Sequence, residues 1–426
     1  MRHVLIVGLY YPPANFSAAR RLAGWARHLP SFGYEPLVIT RYYDPEERNT
    51  GDFYASSRPT RTLNEPWIES DHVVHTKFVS SAWKELPLPG KIRGLGHFAW
   101  PDPDHSHWLK QCLSYFENSN FTPDLIIGSF SPAGVFRVTR KLAERFQVPW
   151  IADFRDLWLH HLDDGVSSRL KLSLQRRHLR SAAGVTVVTD GMVESIREQL
   201  APLQKPVRAI YNGADPVDDV RPDPNDGAVV AEFEKLRTTH SLILSYTGTL
   251  YAEQLVERFF EPIREFNDSG RGSCAVVLCG RHDPDTYKRW PFVKLLGTVG
   301  HSTSLFFQKQ SSALFYPTWP ATDSVYSGKI FELLVSGRPL LVGFTPSADL
   351  ESLCRQFPNV VLVNSFEELI ASLAELQAHK GDAATSEPPV VATKKYWAGQ
   401  LAAFFDEILA DRSNQKALTA PAQDSA

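Results

Sequence analysis

Apolar residues along this chain collect in short closed runs separated by amphipathic stretches at helical spacing, which predicts strands and helices in alternation. The first run, Val4-Leu5-Ile6-Val7-Gly8-Leu9, has no polar position, as a parallel strand covered on both faces requires. Pro12 and Pro13 stiffen the loop after it, and Ala18, Leu22, Ala26 and Leu29 then mark the buried side of a helix. Leu37-Val38-Ile39-Thr40 completes a strand–helix–strand opening. The same reading predicts strands at 125–129, 150–152, 184–189 and 207–211, with a helix running to Arg145 after the first of them. A second series follows at 242–247, 275–279, 293–296, 314–316, 340–344 and 360–363. Residues 396–409 predict a last amphipathic helix ahead of a polar tail. Two stretches break the rhythm. Residues 41–110 are crowded with Pro, Trp and charged side chains and offer one modest strand at 73–79, so they read as an insertion capping the first domain. Residues 215–226, with clustered Pro and Asp, read as a linker.

A chain of 426 residues is too long for one core, and two α/β domains follow from the two series. The expected division is 1–205, with 41–110 as its insertion, then 206–392, a C-terminal helix at 393–410 and a disordered tail at 411–426. A hydrophobic share of 43% against 22% charged residues allows each domain its own core. The net charge of −3 conceals an asymmetry: residues 1–205 carry 25 basic and 21 acidic groups (net +4), residues 206–426 carry 20 and 27 (net −7). That imbalance is too mild to point to nucleic acid. Cys112, Cys274, Cys279 and Cys354 fit no zinc spacing, and Cys274 and Cys279 lie in a strand-like run where inert buried thiols are expected. The N-terminal apolar run is too short for a signal peptide, and no later run reaches spanning length, so the chain reads as cytosolic. Residues 169–180 alternate Arg169, Lys171, Arg176, Arg177 and Arg180 with leucines. Both a solvated helix face and a contact with an anionic membrane surface fit that pattern.

The candidate chemistry centres on 323–339. A polar loop from Asp323 and Ser324 leads to Ser327, Gly328 and Lys329, and Ile330, Leu333 and Leu334 then recur at helical spacing until Gly337 and Pro339 stop the helix. A helix start carrying free amides and an ammonium is an anion site. Glu332, one turn on from Lys329, can accept hydrogen bonds from sugar hydroxyls, so the pair fits a nucleotide or a nucleotide-sugar. The same spacing fits a Lys–Glu ion pair on an exposed helix start, and spacing does not separate the two. In the first series, Ser129, Arg155, Asp156 and Asp190 follow the strands and are expected at one rim, because ligands of such sheets sit beyond the carboxyl ends. Arg20, at the start of the first helix, can meet an anion or simply face water. His105-Ser106-His107, flanked by Asp102 and Asp104, reads as a solvated loop rather than a metal site. The first loop lacks Gly-x-Gly-x-x-Gly, which disfavours a dinucleotide-dependent dehydrogenase.

Several motifs, in order, resemble those of retaining family 4 glycosyltransferases with the GT-B fold. They are Tyr10-Tyr11-Pro12-Pro13, Asp153-Phe154-Arg155-Asp156-Leu157-Trp158, Tyr211-Asn212-Gly213-Ala214-Asp215, Tyr246-Thr247-Gly248-Thr249-Leu250 and Gly328-Lys329-Ile330-Phe331-Glu332 with Gly337-Arg338-Pro339. The resemblance implies two facing Rossmann-like domains with a central cleft and a C-terminal crossover helix. The second domain would hold the nucleotide-sugar donor and the first the acceptor. Departures from the family pattern are Ser324 where many relatives have a glutamate, Thr249, Leu250 and Tyr251 where Arg and Lys are common, and Asn15 and Phe16 in place of paired glycines. The histidine common after the fourth strand is missing around Phe130 and Ser131. The chain looks closest to a sub-branch with a Ser/Gly-Lys-x-x-Glu signature.

The resemblance gives Lys329 the diphosphate, Glu332 the ribose, and Asp323 or Ser324 the donor sugar, with Gly248, Thr249, Arg281, Ser327 and Gly328 completing the donor site. Arg155, Asp156 and Asp323 are the candidate catalytic residues, and Asn15, Arg20 and Ser131 lie on the acceptor side. No metal and no cofactor are expected, the nucleotide-sugar being a substrate. The acceptor is expected to be a glycan or lipid-linked sugar of a surface polysaccharide, which leaves open a peripheral contact with the inner membrane face. Two other readings remain: a sugar-nucleotide epimerase on the same fold, and a catalytically silent GT-B-shaped binding or assembly protein.

Overall fold

The computed structural model describes residues 1–12, 14, 17–43, 67–70, 72–76, 103–130, 132–159, 166–216, 219–250, 256–318, 327–344, 346–379 and 389–419. Strands that are apolar on both faces need cover on both sides, and the chain meets that need twice. It divides into a unit of Met1–Asn212 joined by the C-terminal residues from Trp397, and a unit of Gly213–Tyr396.

In the first unit the chain runs β1 (Arg2–Val7), α1 (Ser17–His28), β2 (Tyr34–Arg41), β3 (Trp67–Ser70), β4 (Val73–Thr76), α2 (Pro103–Glu117) and β5 (Leu125–Phe130). It continues through α3 (Gly134–Phe146), β6 (Trp150–Phe154), α4 (Val166–Leu179), β7 (Gly184–Val187), α5 (Asp190–Leu200) and β8 (Val207–Ala209). The strands form one sheet in the order β3-β4-β2-β1-β5-β6-β7-β8. Every pairing in it is parallel except β3 with β4. Close helix–sheet contact is set by small residues: a Cβ on Gly128 would fall 2.1 Å from Thr139 Oγ1 of α3.

The second unit runs α6 (Gly227–Thr239), β9 (Leu242–Thr247), α7 (Glu257–Asp268), β10 (Cys274–Cys279), α8 (Pro284–Tyr287), β11 (Val293–Gly297) and α9 (His301–Gln310). Then come β12 (Ala313–Pro317), α10 (Lys329–Leu334), β13 (Leu340–Gly343), α11 (Ala348–Cys354), β14 (Val360–Val363) and α12 (Phe366–Ala378). Its sheet has the order β11-β10-β9-β12-β13-β14 and is parallel throughout. The last helix, α13 (Lys394–Thr419), begins in this unit, and from Trp397 onward it belongs to the first. There Leu401, Phe404, Phe405 and Ile408 pack into the core with Val4, Ile6, Leu22 and Ile151. Two parallel-sheet Rossmann-like units are therefore observed, as expected.

Four expectations are corrected. The stretch 41–110 is not only a cap: β4 pairs with β2 and β3 with β4, so 67–70 and 73–76 widen the first sheet, while 44–66 and 77–102 lie outside the described residues. His105-Ser106-His107 is helical rather than a loop, because Pro103 suits a first helical turn and Trp108, Leu109, Cys112 and Phe116 bury one side of α2. The first unit reaches Asn212 rather than 205, since β8 pairs with β7. The final helix runs on to Thr419, because Gln415, Lys416, Ala417 and Leu418 are good helix formers and no Gly or Pro intervenes before Pro421.

The chain passes between units at Asn212 and Gly213. Gly213 adopts φ +59, and a Cβ there would lie 2.7 Å from the backbone of Thr393 and Lys394. Ala214 exchanges backbone hydrogen bonds with Ala392 (2.8 Å) and Lys394 (3.2 Å), and Lys394 Nζ reaches Asp215 at 3.2 Å. The Tyr211–Asp215 motif thus has a structural job at this crossing.

Candidate functional site

In the second sheet the chain steps from β9 outward to β10 and β11, then returns to the other side of β9 for β12, β13 and β14. The reversal lies between β9 and β12, and crevices beyond the carboxyl ends of strands at such a point take ligands. Gly248 follows β9, and Gly280, Arg281 and His282 follow β10. Gly248 N–H donates to Cys279 O at 2.7 Å. Gly280 has φ +143, and a Cβ on it would sit 2.5 Å from Gly248 O, so these two turns touch backbone to backbone as only glycine allows. Thr249 and Arg281 are exposed beside them.

Ser327, Gly328 and Lys329 arrive at the same end of the sheet. Ser327 N–H donates to the hydroxyl of Tyr316 at 3.0 Å; Tyr316, the penultimate residue of β12, is fully buried, and burial together with nearby Tyr246 pushes its hydroxyl well above the usual tyrosine range. Lys329 N–H donates to Ser327 Oγ at 3.2 Å. Lys329 Nζ pairs with Glu332 Oε2 at 2.5 Å, and the two side chains are 15% and 14% exposed. The charge of Lys329 is felt at Cys279, whose thiol burial pushes up to about 12 while the ammonium pulls it down.

These contacts correct the expected anion site. The amides of Ser327 and Lys329 are not free, because a buried Tyr316 hydroxyl and the Ser327 hydroxyl need partners and find them there. The helix they open has six residues, too few aligned peptides for a strong positive end. The cationic group at this helix start is the Lys329 ammonium. The Lys–Glu pair foreseen as one reading does form, but partly buried rather than on an exposed face.

His282 is the site residue that sequence reading missed. Both ring nitrogens are buried and make no well-aligned hydrogen bond, although the backbone of Gly248 and Cys279 lies close enough to act on them, and the ring meets Tyr287 edge-on at 5.7 Å. Burial lowers its pKa and keeps the ring neutral, with one donor and one acceptor to offer. Its position two residues after the glycine that closes an apolar strand was the available signal.

In the first unit the charged residues behave differently. Asp153, the penultimate residue of β6, accepts from Arg21 Nη2 (2.8 Å) and Nε (3.2 Å), Ser129 Oγ (2.7 Å) and Thr186 Oγ1 (2.8 Å). Arg21 donates further to Ile210 O at 2.7 Å and Asn212 Oδ1 at 3.1 Å, and lies over the Trp25 ring. Ser129 is thus enclosed rather than on the rim where it was expected, because its hydroxyl completes this carboxylate. Asp190 opens α5 and accepts from Tyr211 Oη at 2.9 Å. Arg155 lies just beyond β6, its pKa lowered by burial, with Asp156, Asp153, Arg21 and Tyr10 close enough to act on its charge. Asp156 is exposed, and Arg20 is half-buried in the first turn of α1. Asn15, Ser131, Asp323 and Ser324 lie outside the described residues. Among those described, no group of three His, Cys, Asp or Glu gathers as metal ligands, and no helix is long and apolar enough to cross a membrane.

Residues 17–213 match the family model of the glycosyl transferase 4-like domain. A search of curated proteins finds no match. Among solved structures, the α,α-trehalose 6-phosphate synthase of Burkholderia multivorans is similar over 98% of both chains, with 11% identity and a TM-score of 0.59. The Anabaena protein HepE, in complex with UDP and glucose, covers 98% of this chain and 100% of its own, with 13% identity and a TM-score of 0.52. A Listeria monocytogenes protein described as a UDP-N-acetylglucosamine 2-epimerase covers 95% of this chain and 97% of its own at 14% identity and a TM-score of 0.53. At these identities the likeness is one of fold, and both Rossmann-like units agree with the GT-B fold of these neighbours.

Proposed function

We propose that this chain is a glycosyltransferase that moves a sugar from a nucleotide-sugar donor to a glycan or lipid-linked acceptor, with retention and without a metal. One observation carries the reading: a partly buried ammonium–carboxylate pair, Lys329–Glu332, follows β12 where the second sheet reverses its strand order, on the edge that also carries two glycine turns in backbone contact. A nucleoside diphosphate meets both halves of that pair. Its phosphates would take Lys329 away from Glu332, and the released carboxylate would accept from the ribose hydroxyls. Exchange of partners leaves neither charge alone, so the donor can enter without a large desolvation cost. As the bond from the anomeric carbon to the diphosphate breaks, negative charge grows on the leaving group, and Lys329 with Arg281 would stabilise it. His282 would offer a hydrogen bond to the base or the sugar. Arg155 and Asp156 would act on the acceptor. Where the acceptor is lipid-linked, α4 would rest on the membrane surface, with Arg169, Arg177 and Arg180 exposed around exposed Leu170.

The family model over the first unit and the UDP and glucose bound by the Anabaena neighbour support this reading. The test is a thermal-shift panel of UDP-, GDP- and other nucleotide-sugars, followed by turnover with and without added glycan acceptors. Stabilisation by one donor and acceptor-dependent release of its nucleotide are expected. Stabilisation with acceptor-free conversion of the donor would replace the transferase by an epimerase, and no stabilisation by any donor would leave a binding protein of the same shape.

A further inference from the structure

A cavity lies in the second unit, at the ends of its strands opposite to the Lys329 edge. Because β9 and β12–β14 are parallel, their first residues share one edge of the sheet. Strands of four to six residues separate that edge from the Lys329 edge by roughly 13–20 Å. The cavity holds about 490 Å³, within the range of small-molecule pockets. Leu242, Leu341, Val361 and Leu376 give it an apolar lining.

Set against that lining is Arg338, on the turn between α10 and β13. Its backbone is held from both sides: its N–H donates to Ser336 Oγ at 3.2 Å, and its carbonyl accepts from Asn359 Nδ2 at 2.7 Å. Pro339 follows and restricts it further. The guanidinium itself is unanswered. Its Nε is buried with no hydrogen-bond partner among the described residues, which is a costly state for a charged donor. The second arginine of the cavity, Arg237, is already engaged by Glu234 through bonds of 2.8 and 3.0 Å. Burial and the charge of Arg237 both pull the Arg338 pKa down, so both oppose its positive charge. Glu375 also lines the cavity, but it is exposed to water and makes no ion pair with Arg338.

We propose that this cavity is a second binding site, for a small organic anion whose carboxylate or phosphate sits on Arg338 and whose carbon skeleton lies on Leu341, Val361 and Leu376. A preformed apolar hollow with one fixed, unpaired cation suits such a molecule, and inorganic phosphate alone would leave most of the hollow unfilled. The site is independent of the nucleotide-sugar reading.

Calorimetric titration of the full chain with phenyl phosphate, benzoate, inorganic phosphate and uncharged benzyl alcohol tests it. One of the two aromatic anions is expected to bind saturably at one site, and which of them binds more tightly identifies phosphate or carboxylate as the recognised group. Benzyl alcohol should bind at least about tenfold more weakly, as loss of a charge-assisted hydrogen bond implies. Arg338→Gln should weaken the anion by about tenfold or more. Val361→Trp, at a position already 40% exposed, should block entry without disturbing the fold, and Lys329→Ala should leave binding unchanged. Equal affinity in wild type, R338Q and V361W would overturn the proposal. So would the absence of binding by both aromatic anions, or loss of binding in K329A.

Discussion

Each unit carries an ion pair at the carboxyl edge of its parallel sheet, and the two pairs are built on opposite principles. Arg21–Asp153 is enclosed, with side chains 1% and 0% exposed, and Asp153 accepts four hydrogen bonds from three residues. Lys329–Glu332 joins two residues one turn apart on a six-residue helix and keeps some contact with water. The first pair has every charge answered from within the protein, so a ligand has nothing to add, and breaking it strands a charge in a dry interior. The second, under the proposed function, would trade its internal partner for an external one. Charge at the end of a strand is therefore no guide to function until its partners are counted.

Asp153→Asn tests the enclosed pair most severely. The substitution keeps the shape and removes the charge that answers Arg21, and chemical denaturation should show about 3–5 kcal/mol less stability. A loss below about 1 kcal/mol would place Arg21–Asp153 in the exchangeable class with the other pair. Lys329→Ala should do the reverse. Turnover of a nucleotide-sugar is expected to fall about a hundredfold, as when one donor to a developing anion is removed, while stability changes by about 1 kcal/mol or less. Unchanged turnover would remove the diphosphate role from Lys329. Glu332→Gln retains a hydrogen-bonding group and should weaken donor binding about tenfold in a titration; an unaltered affinity would detach Glu332 from the ribose.

The smallest effect is a pH dependence shared by both units. His178 is half-buried near Arg140, Arg177 and Arg137, and His282 is half-buried beside Tyr287; both bind a proton less readily folded than unfolded. As pH falls below about 6.5 the unfolded chain takes up protons first, so stability declines through that range and recovers as pH rises past it. His178→Asn and His282→Asn should each flatten the decline in thermal unfolding between about pH 5 and pH 7. A slope unchanged in the double variant would assign it to other groups.

Much of the architecture could be read directly from the chain. Val4–Val7, Leu242–Thr247 and Cys274–Cys279 form strands where apolar runs demand burial on both sides. Gly337 and the Leu340–Gly343 strand end the helix at Leu334 as their residue types require. The helix α2 was hidden because Asp104, His105 and His107 crowd its first turns and look like a loop, although Trp108, Cys112 and Phe116 supply its buried side. The choice of Arg20 over Arg21 has a similar origin. Arg21 shares the buried side of α1 with Ala18, Leu22 and Trp25, and an arginine on such a stripe looks misplaced until Asp153, 132 residues later, is brought beside it.

Local pattern sufficed for the two alternating series and for the neighbourhood of Lys329 and Glu332, because backbone propensity, periodic burial and contacts one helical turn apart act over a few residues. Which amides at Ser327–Lys329 are already engaged, which strand-end charges are enclosed, and where the Arg338 guanidinium is left unanswered depend on groups far apart in the chain. Burial and hydrogen-bond satisfaction are properties of assembled neighbours, so they came into being only with the fold.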